Sequence, residues 1–113
     1  MLFLRTYRFM LTLSVLALRL VGLANAQRKP SNKTHTVLIK GFAFMPQRLE
    51  VRAGDTVIWK NDDIVPHTAT AKKRFDSKEL GPHQSWSYVA NRKGIYPFMC
   101  TYHPTMKGEL VVK

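Results

Sequence analysis

The 113 residues carry 18 Lys and Arg against 7 Asp and Glu, a formal net charge of +11, with 45% apolar residues and a single cysteine. That length bounds one modest domain. The lone cysteine excludes a disulfide within the chain, and neither internal repeats nor a low-complexity linker are present.

The first segment reads as export machinery. Arg5 and Arg8 precede an uncharged run over residues 9–18, and Ala24-Asn25-Ala26 supplies a small-x-small cleavage site. This predicts a signal peptide over residues 1–26 and a mature chain from Gln27. An uncleaved anchor would need about 20 predominantly apolar residues, and Arg19 divides the apolar stretch into two shorter pieces. The leader takes three of the 18 basic residues with it, leaving 15 against 7 acidic ones, a charge near +8. A field of that sign attracts acidic proteins, nucleic acid or anionic surfaces, and export removes nucleic acid. Residues 27–35 are polar and form an expected flexible tail, followed by one domain over residues 36–113.

From there the chain alternates short β segments with turn signals. Thr36-Val37-Leu38-Ile39 is a predicted strand ended by Gly41. Residues 48–52 alternate polar and apolar, and Ala53-Gly54-Asp55 turns the chain into a second strand over 56–60. Asn61-Asp62-Asp63 reads as a turn cluster and residues 67–71 as a strand. Gly81-Pro82 punctuates before a strand over 85–89, and residues 91–94 turn again. Residues 95–100 form a strand in which Pro97 belongs at an edge, end or bulge, and residues 108–112 close the chain. Short strands at this spacing predict an all-β fold, a Greek-key β-sandwich.

The last two strands bracket Cys100-Thr101-Tyr102-His103-Pro104-Thr105-Met106, so a thiolate, an imidazole and a thioether recur every third residue on one loop. A trigonal set of two histidines and one cysteine, with a weak axial Met, is the arrangement of blue-copper electron-transfer sites. His67, after the Asn-Asp-Asp cluster, is the best candidate for the second imidazole. Soft sulfur donors favour Cu(I) while the imidazoles and thiolate also serve Cu(II), so one copper ion can cycle between both states. Zinc also binds mixed cysteine and histidine sets, but Met106 argues for copper. A lone thiol in an oxidising compartment is protected if it is ligated or buried. His35 and His83 lack partner motifs and are not assigned as ligands.

Gly54-Asp55-Thr56-Val57-Ile58-Trp59, Asn61-Asp62, Pro66-His67-Thr68 and the run from Cys100 to Gly108 together resemble the plastocyanin and amicyanin branch of the cupredoxins, over about residues 36–113. The two-residue spacers of the ligand loop are most like amicyanin. The resemblance implies His67, Cys100, His103 and Met106 as metal ligands. It also implies a periplasmic, monomeric carrier of single electrons between redox proteins, with no catalytic turnover of its own. Pro66 resembles amicyanin in lacking an N–H where several cupredoxins place a donor to the cysteine sulfur. Two departures stand out: a shorter N-terminal region, and Met99 where amicyanin has His. The expected partner is a dehydrogenase or cytochrome with an acidic surface. It would meet an apolar patch around His103 made of Pro104, Thr105, Pro66 and Pro46, without stable membrane insertion. The alternative is a copper-binding or copper-delivery protein without an electron-transfer role. A multicopper enzyme is not expected of a chain with four histidines.

Overall fold

The computed structural model describes residues 30–113. The predicted signal peptide and the first residues of the predicted tail lie outside that range. Nine strands follow: β1 (Thr34–Lys40), β2 (Ala43–Met45), β3 (Arg48–Val51), β4 (Asp55–Asn61), β5 (Thr70–Ala71), β6 (Phe75–Asp76), β7 (Ser85–Ala90), β8 (Gly94–Met99) and β9 (Lys107–Val112). Period-2 alternation is legible in the burial of β4 and β8. In β4, Asp55, Val57, Trp59 and Asn61 face inward while Lys60 faces water; in β8, Tyr96 and Phe98 face inward between exposed Ile95 and Pro97.

The strands form two sheets, ordered β2-β1-β4-β7 and β3-β9-β8-β5-β6, and the chain crosses between them after β2, β3, β4, β6 and β7. This is the expected β-sandwich. Trp59 fills its centre, fully buried, with ring centroids 5.1 Å from Phe75, 5.5 Å from Phe98 and 5.7 Å from Trp86. An indole of this size holds both sheets, and truncating such a side chain typically costs about 3–5 kcal/mol.

Two poles result. β1 and β4 run parallel, from Thr34 opposite Thr56 to Ile39 opposite Asn61, while β9 returns antiparallel to β8. At one pole Ala53 N–H donates to Lys113 O at 2.9 Å and Gly54 N–H to Ala90 O at 2.8 Å. Gly54 has φ of +99°, and a Cβ there would collide with the Ser31 carbonyl oxygen, so only glycine fits. The other pole gathers the β1–β2 turn, the segment from Asn61 to His67, and the loop between β8 and β9.

Several expectations change in detail. β1 begins at Thr34, inside the expected tail, because the chain before it is tied down: Lys33 N–H donates to Asp55 Oδ1 at 2.9 Å and Lys33 O accepts Thr56 N–H at 2.8 Å. The strands around Gly54 are consecutive but unpaired, β3 joining β9 and β4 joining β1 and β7. Asn61 is no exposed turn residue. It ends β4 fully buried, its Nδ2 donating to Val65 O and Leu80 O at 2.9 and 2.8 Å. The strand expected over 67–71 shrinks to Thr70–Ala71. Its earlier donors are engaged elsewhere: His67 N–H with Leu80 O, Thr68 N–H with the Cys100 sulfur, and Ala69 N–H with Ser77 Oγ. Pro97 is tolerated in β8 because β5 meets that strand only at Met99, leaving the flank at Pro97 open. β2 and β6, of three and two residues, are too short to announce themselves by periodicity.

Candidate metal centre

Cys100 immediately follows β8, and its loop folds back on itself: Met106 N–H donates to His103 O at 2.8 Å and Cys100 N–H to Met106 O at 3.1 Å. Cys100 is fully buried, Met106 is 3% exposed and His103 is half-buried. His67 arrives from the other side, fully buried, its backbone bridged to Leu80 in both directions.

Cys100 Sγ lies 3.7 Å from His67 Nδ1 and 3.6 Å from His103 Nδ1, and one donor atom from each of the three falls within 4.8 Å of the others. Among the described residues this is the one cluster of His, Cys, Asp or Glu able to hold a metal. The spacing fits an ion. A first-row metal bound about 2.3 Å from sulfur and about 2.0 Å from nitrogen at trigonal angles separates those donors by about 3.7 Å. Met106 joins the others on the same folded loop. His35 is held apart at the opposite pole, its Nε2 2.9 Å from Asp55 Oδ2, and His83 is exposed.

Two contributors escaped the sequence reading. Asp63 Oδ2 lies 2.8 Å from His67 Nε2; a carboxylate can only accept, so Nε2 carries the ring proton and Nδ1 turns its lone pair toward the sulfur. The same carboxylate accepts the N–H groups of Gly41 at 2.7 Å and Phe42 at 3.0 Å. Burial works against its charge, but the bonds from Phe42, Gly41 and His67 prevail and hold the carboxyl below the usual range. Phe42 is the second. It sits in the left-handed region at φ 58°, after Gly41 at φ 60°, in a two-residue hairpin turn pairing Lys40 with Ala43. A bulky residue there is an outlier. Its ring packs edge-on against both imidazoles, centroids 5.3 Å from His67 and 4.9 Å from His103. The separation of Asp63 from His67 by one helical-turn spacing was the available signal; for Phe42 there was none.

The thiolate has one backbone donor among the described residues, Thr68 N–H at 3.4 Å. Pro66 offers none, as expected of proline. A buried soft thiolate with two preset imidazoles suits a metal that changes charge by one.

A family model described as a cupredoxin-like domain matches residues 11–112. The chain is 31% identical over 103 residues to amicyanin-alpha of Methylorubrum extorquens, covering 86% of each protein. Among solved structures it resembles the Cu(I) form of an amicyanin variant, with TM-score 0.69, 26% identity, and 75% of this chain and 87% of the other covered. It also resembles a copper-containing nitrite reductase from Thermus scotoductus SA-01, with TM-score 0.66, 27% identity and 76% of this chain, but 23% of the reductase. Fold, donor cluster and sequence likeness converge, and the chain belongs to the cupredoxin-like family.

Proposed function

We propose that Cys100 Sγ, His67 Nδ1 and His103 Nδ1 would hold one copper ion in this cupredoxin-like chain, with Met106 as a fourth, weaker ligand. In that state it carries single electrons between exported redox proteins. The observation that carries this reading is the convergence of one thiol and two imidazole nitrogens, within 4.8 Å, at a largely buried corner. Copper there supplies one-electron chemistry, cycling between Cu(I) and Cu(II).

The chain's own residues do the rest. Asp63 fixes the tautomer of His67, and the Asp63 bonds to the β1–β2 turn tie that imidazole to the first sheet. Cys100, sealed from solvent, keeps its thiol from oxidants. His103 is half-buried, with exposed Pro104, Thr105 and Pro66 nearby in the chain or site and Phe42, 52% exposed, against its ring. That is the face we assign to transient docking, a contact that needs little buried area. The positive charge left after loss of the predicted leader favours an acidic dehydrogenase or cytochrome, and the predicted leader supports a periplasmic location. Copper delivery without electron transfer is disfavoured, because a fully buried Cys100 gives an acceptor no approach for ligand exchange. The nitrite reductase is matched over 23% of its length, a likeness that carries fold and not turnover, and we read the chain as a carrier rather than an enzyme.

The test is copper titration of the purified protein. It should bind one equivalent, and the oxidised form should show intense thiolate-to-copper absorption and a reversible one-electron potential. Cys100→Ser removes the soft thiolate and should abolish the absorption. Retention of that band in Cys100→Ser would overturn the ligand assignment.

A further inference from the structure

Beyond the donor cluster, three threonine hydroxyls stand in series from exposed Thr101 on the ligand loop, through buried Thr68, to Thr70 on β5. Thr101 Oγ1 lies 3.2 Å from Thr68 Oγ1, Thr68 Oγ1 lies 3.0 Å from Thr70 Oγ1, and Thr70 Oγ1 donates to Asp76 Oδ1 at 3.1 Å. Each hydroxyl has one proton to give, so the carboxylate at the far end sets the direction of the whole chain. Thr70 donates to Asp76 and must accept from Thr68. Thr68 has then spent its proton and must accept from Thr101.

The balance closes on both sides. Thr68 Oγ1 also accepts the Thr101 backbone N–H at 2.9 Å, which fills its two lone pairs. Asp76 in turn accepts Lys78 N–H at 2.8 Å and lies 3.3 Å from Lys78 Nζ. The Lys78 N–H bond, outweighing desolvation and aided by Thr70, holds the Asp76 carboxyl below the usual range, so it stays an acceptor.

What the chain grips is Thr68, 3% exposed. Its side chain clasps Thr101, the neighbour of Cys100, while its backbone N–H points at the Cys100 sulfur. A two-point hold on one residue fixes both the distance and the angle of the thiolate bond. Asp76 itself is 40% exposed on its side chain, on β6 at the margin of the second sheet.

We propose that Thr70 and Asp76 are positioning residues for the metal centre: the oriented hydroxyl chain they terminate holds Thr68 N–H on the Cys100 sulfur and thereby sets the copper reduction potential. This rests on the copper reading above. A thiolate that accepts a hydrogen bond gives less electron density to the metal, which favours Cu(I). Loosening the chain therefore favours Cu(II).

Thr70→Val breaks the chain with no change of charge and little change of shape. In the metal-free protein it should speed hydrogen exchange of the Thr68 amide at least tenfold. In the copper protein it should move the Cu(I)/Cu(II) equilibrium toward Cu(II) by three- to tenfold, up to about 59 mV for a one-electron couple. Thr70→Ser should restore both. Asp76→Ala made on top of Thr70→Val should accelerate the Thr68 amide no further, since partners in one network are not additive. Unchanged amide exchange in Thr70→Val, faster exchange with an unchanged potential, or Thr70→Ser behaving like Thr70→Val would each overturn the proposal. Absence of the thiolate band in the unsubstituted protein would instead sink the copper reading, before any substitution is made.

Discussion

Asp63 holds three groups at once: the His67 ring and the two amides of a hairpin turn more than twenty residues away in sequence. Its importance was invisible in sequence because an Asp in an Asn-Asp-Asp run is ordinarily a turn residue. Cys100, His103 and Met106 were legible for the opposite reason. Their spacing lies along one loop, which made them candidates from sequence alone, and the structure brings His67 to Cys100 and His103, while the part of Met106 stays within the proposal. Met106 makes a further test at this scale. Its backbone closes the loop through Cys100 and His103, and that closure does not depend on the side chain. Met106→Gln should therefore keep its copper, while the harder oxygen favours Cu(II). Voltammetry should show the potential lowered by roughly 59 mV or more, a tenfold shift in the one-electron equilibrium. Loss of the metal from this variant would contradict the role of a weak fourth ligand.

At the scale of elements, short β-forming runs set between turn signals located β1, β3, β4, β7, β8 and β9 to within a residue or two. β5 was overextended because the segment before it satisfies its backbone through the site instead of a ladder. The start of β1 was missed because its anchor is a side chain. Asp55, 1% exposed, gathers Lys33 N–H, Arg52 N–H at 3.0 Å and the His35 ring. The Ser31 side chain bonds it too, and that bond leads the causes that hold the carboxyl well below the usual range, ahead of opposing burial and then Arg52, His35 and Lys33. A depressed carboxyl contributes stability above its unfolded pKa of about 3.9 and loses it as pH falls toward the folded value. Denaturation followed from pH 6 to pH 2 should show the folding equilibrium weakening below about pH 4, by up to about tenfold per pH unit from this group. In Asp55→Asn that part of the slope should vanish, the protein should be less stable at pH 7, and the Thr56 amide should exchange faster. An unaltered acid slope would place the linkage elsewhere.

For the whole molecule, charge and architecture were legible from composition and strand spacing, whereas the strand pairing within each sheet was not, since parallel pairs such as β1 with β4 and β3 with β9 unite segments with no local signature. The excess of basic over acidic residues leads to a kinetic expectation. Oxidation of the copper(I) protein by anionic hexacyanoferrate(III) should slow as salt rises, since screening shortens from about 10 Å at 0.1 M to about 3 Å at 1 M. A cationic ruthenium hexaammine reagent should show the opposite trend. Equal slopes for the two reagents would mean that the net charge is not felt at the site of electron entry.

The two-pole arrangement has a practical corollary. Ser31 lies against Gly54 and Lys113 against Ala53, whereas Phe42, His67 and His103 crown the far end. The seven residues of β1 or β4 between them span roughly 20 Å at about 3.3 Å per residue. A tether attached at Lys113, whether to an electrode or to a fused donor domain, should therefore orient the molecule with the proposed docking face around His103 outward. Wiring through that tether is slow because the whole β-sandwich intervenes, while exchange with a freely diffusing partner goes on unhindered. The same body should thus insulate along its length and exchange electrons at its tip.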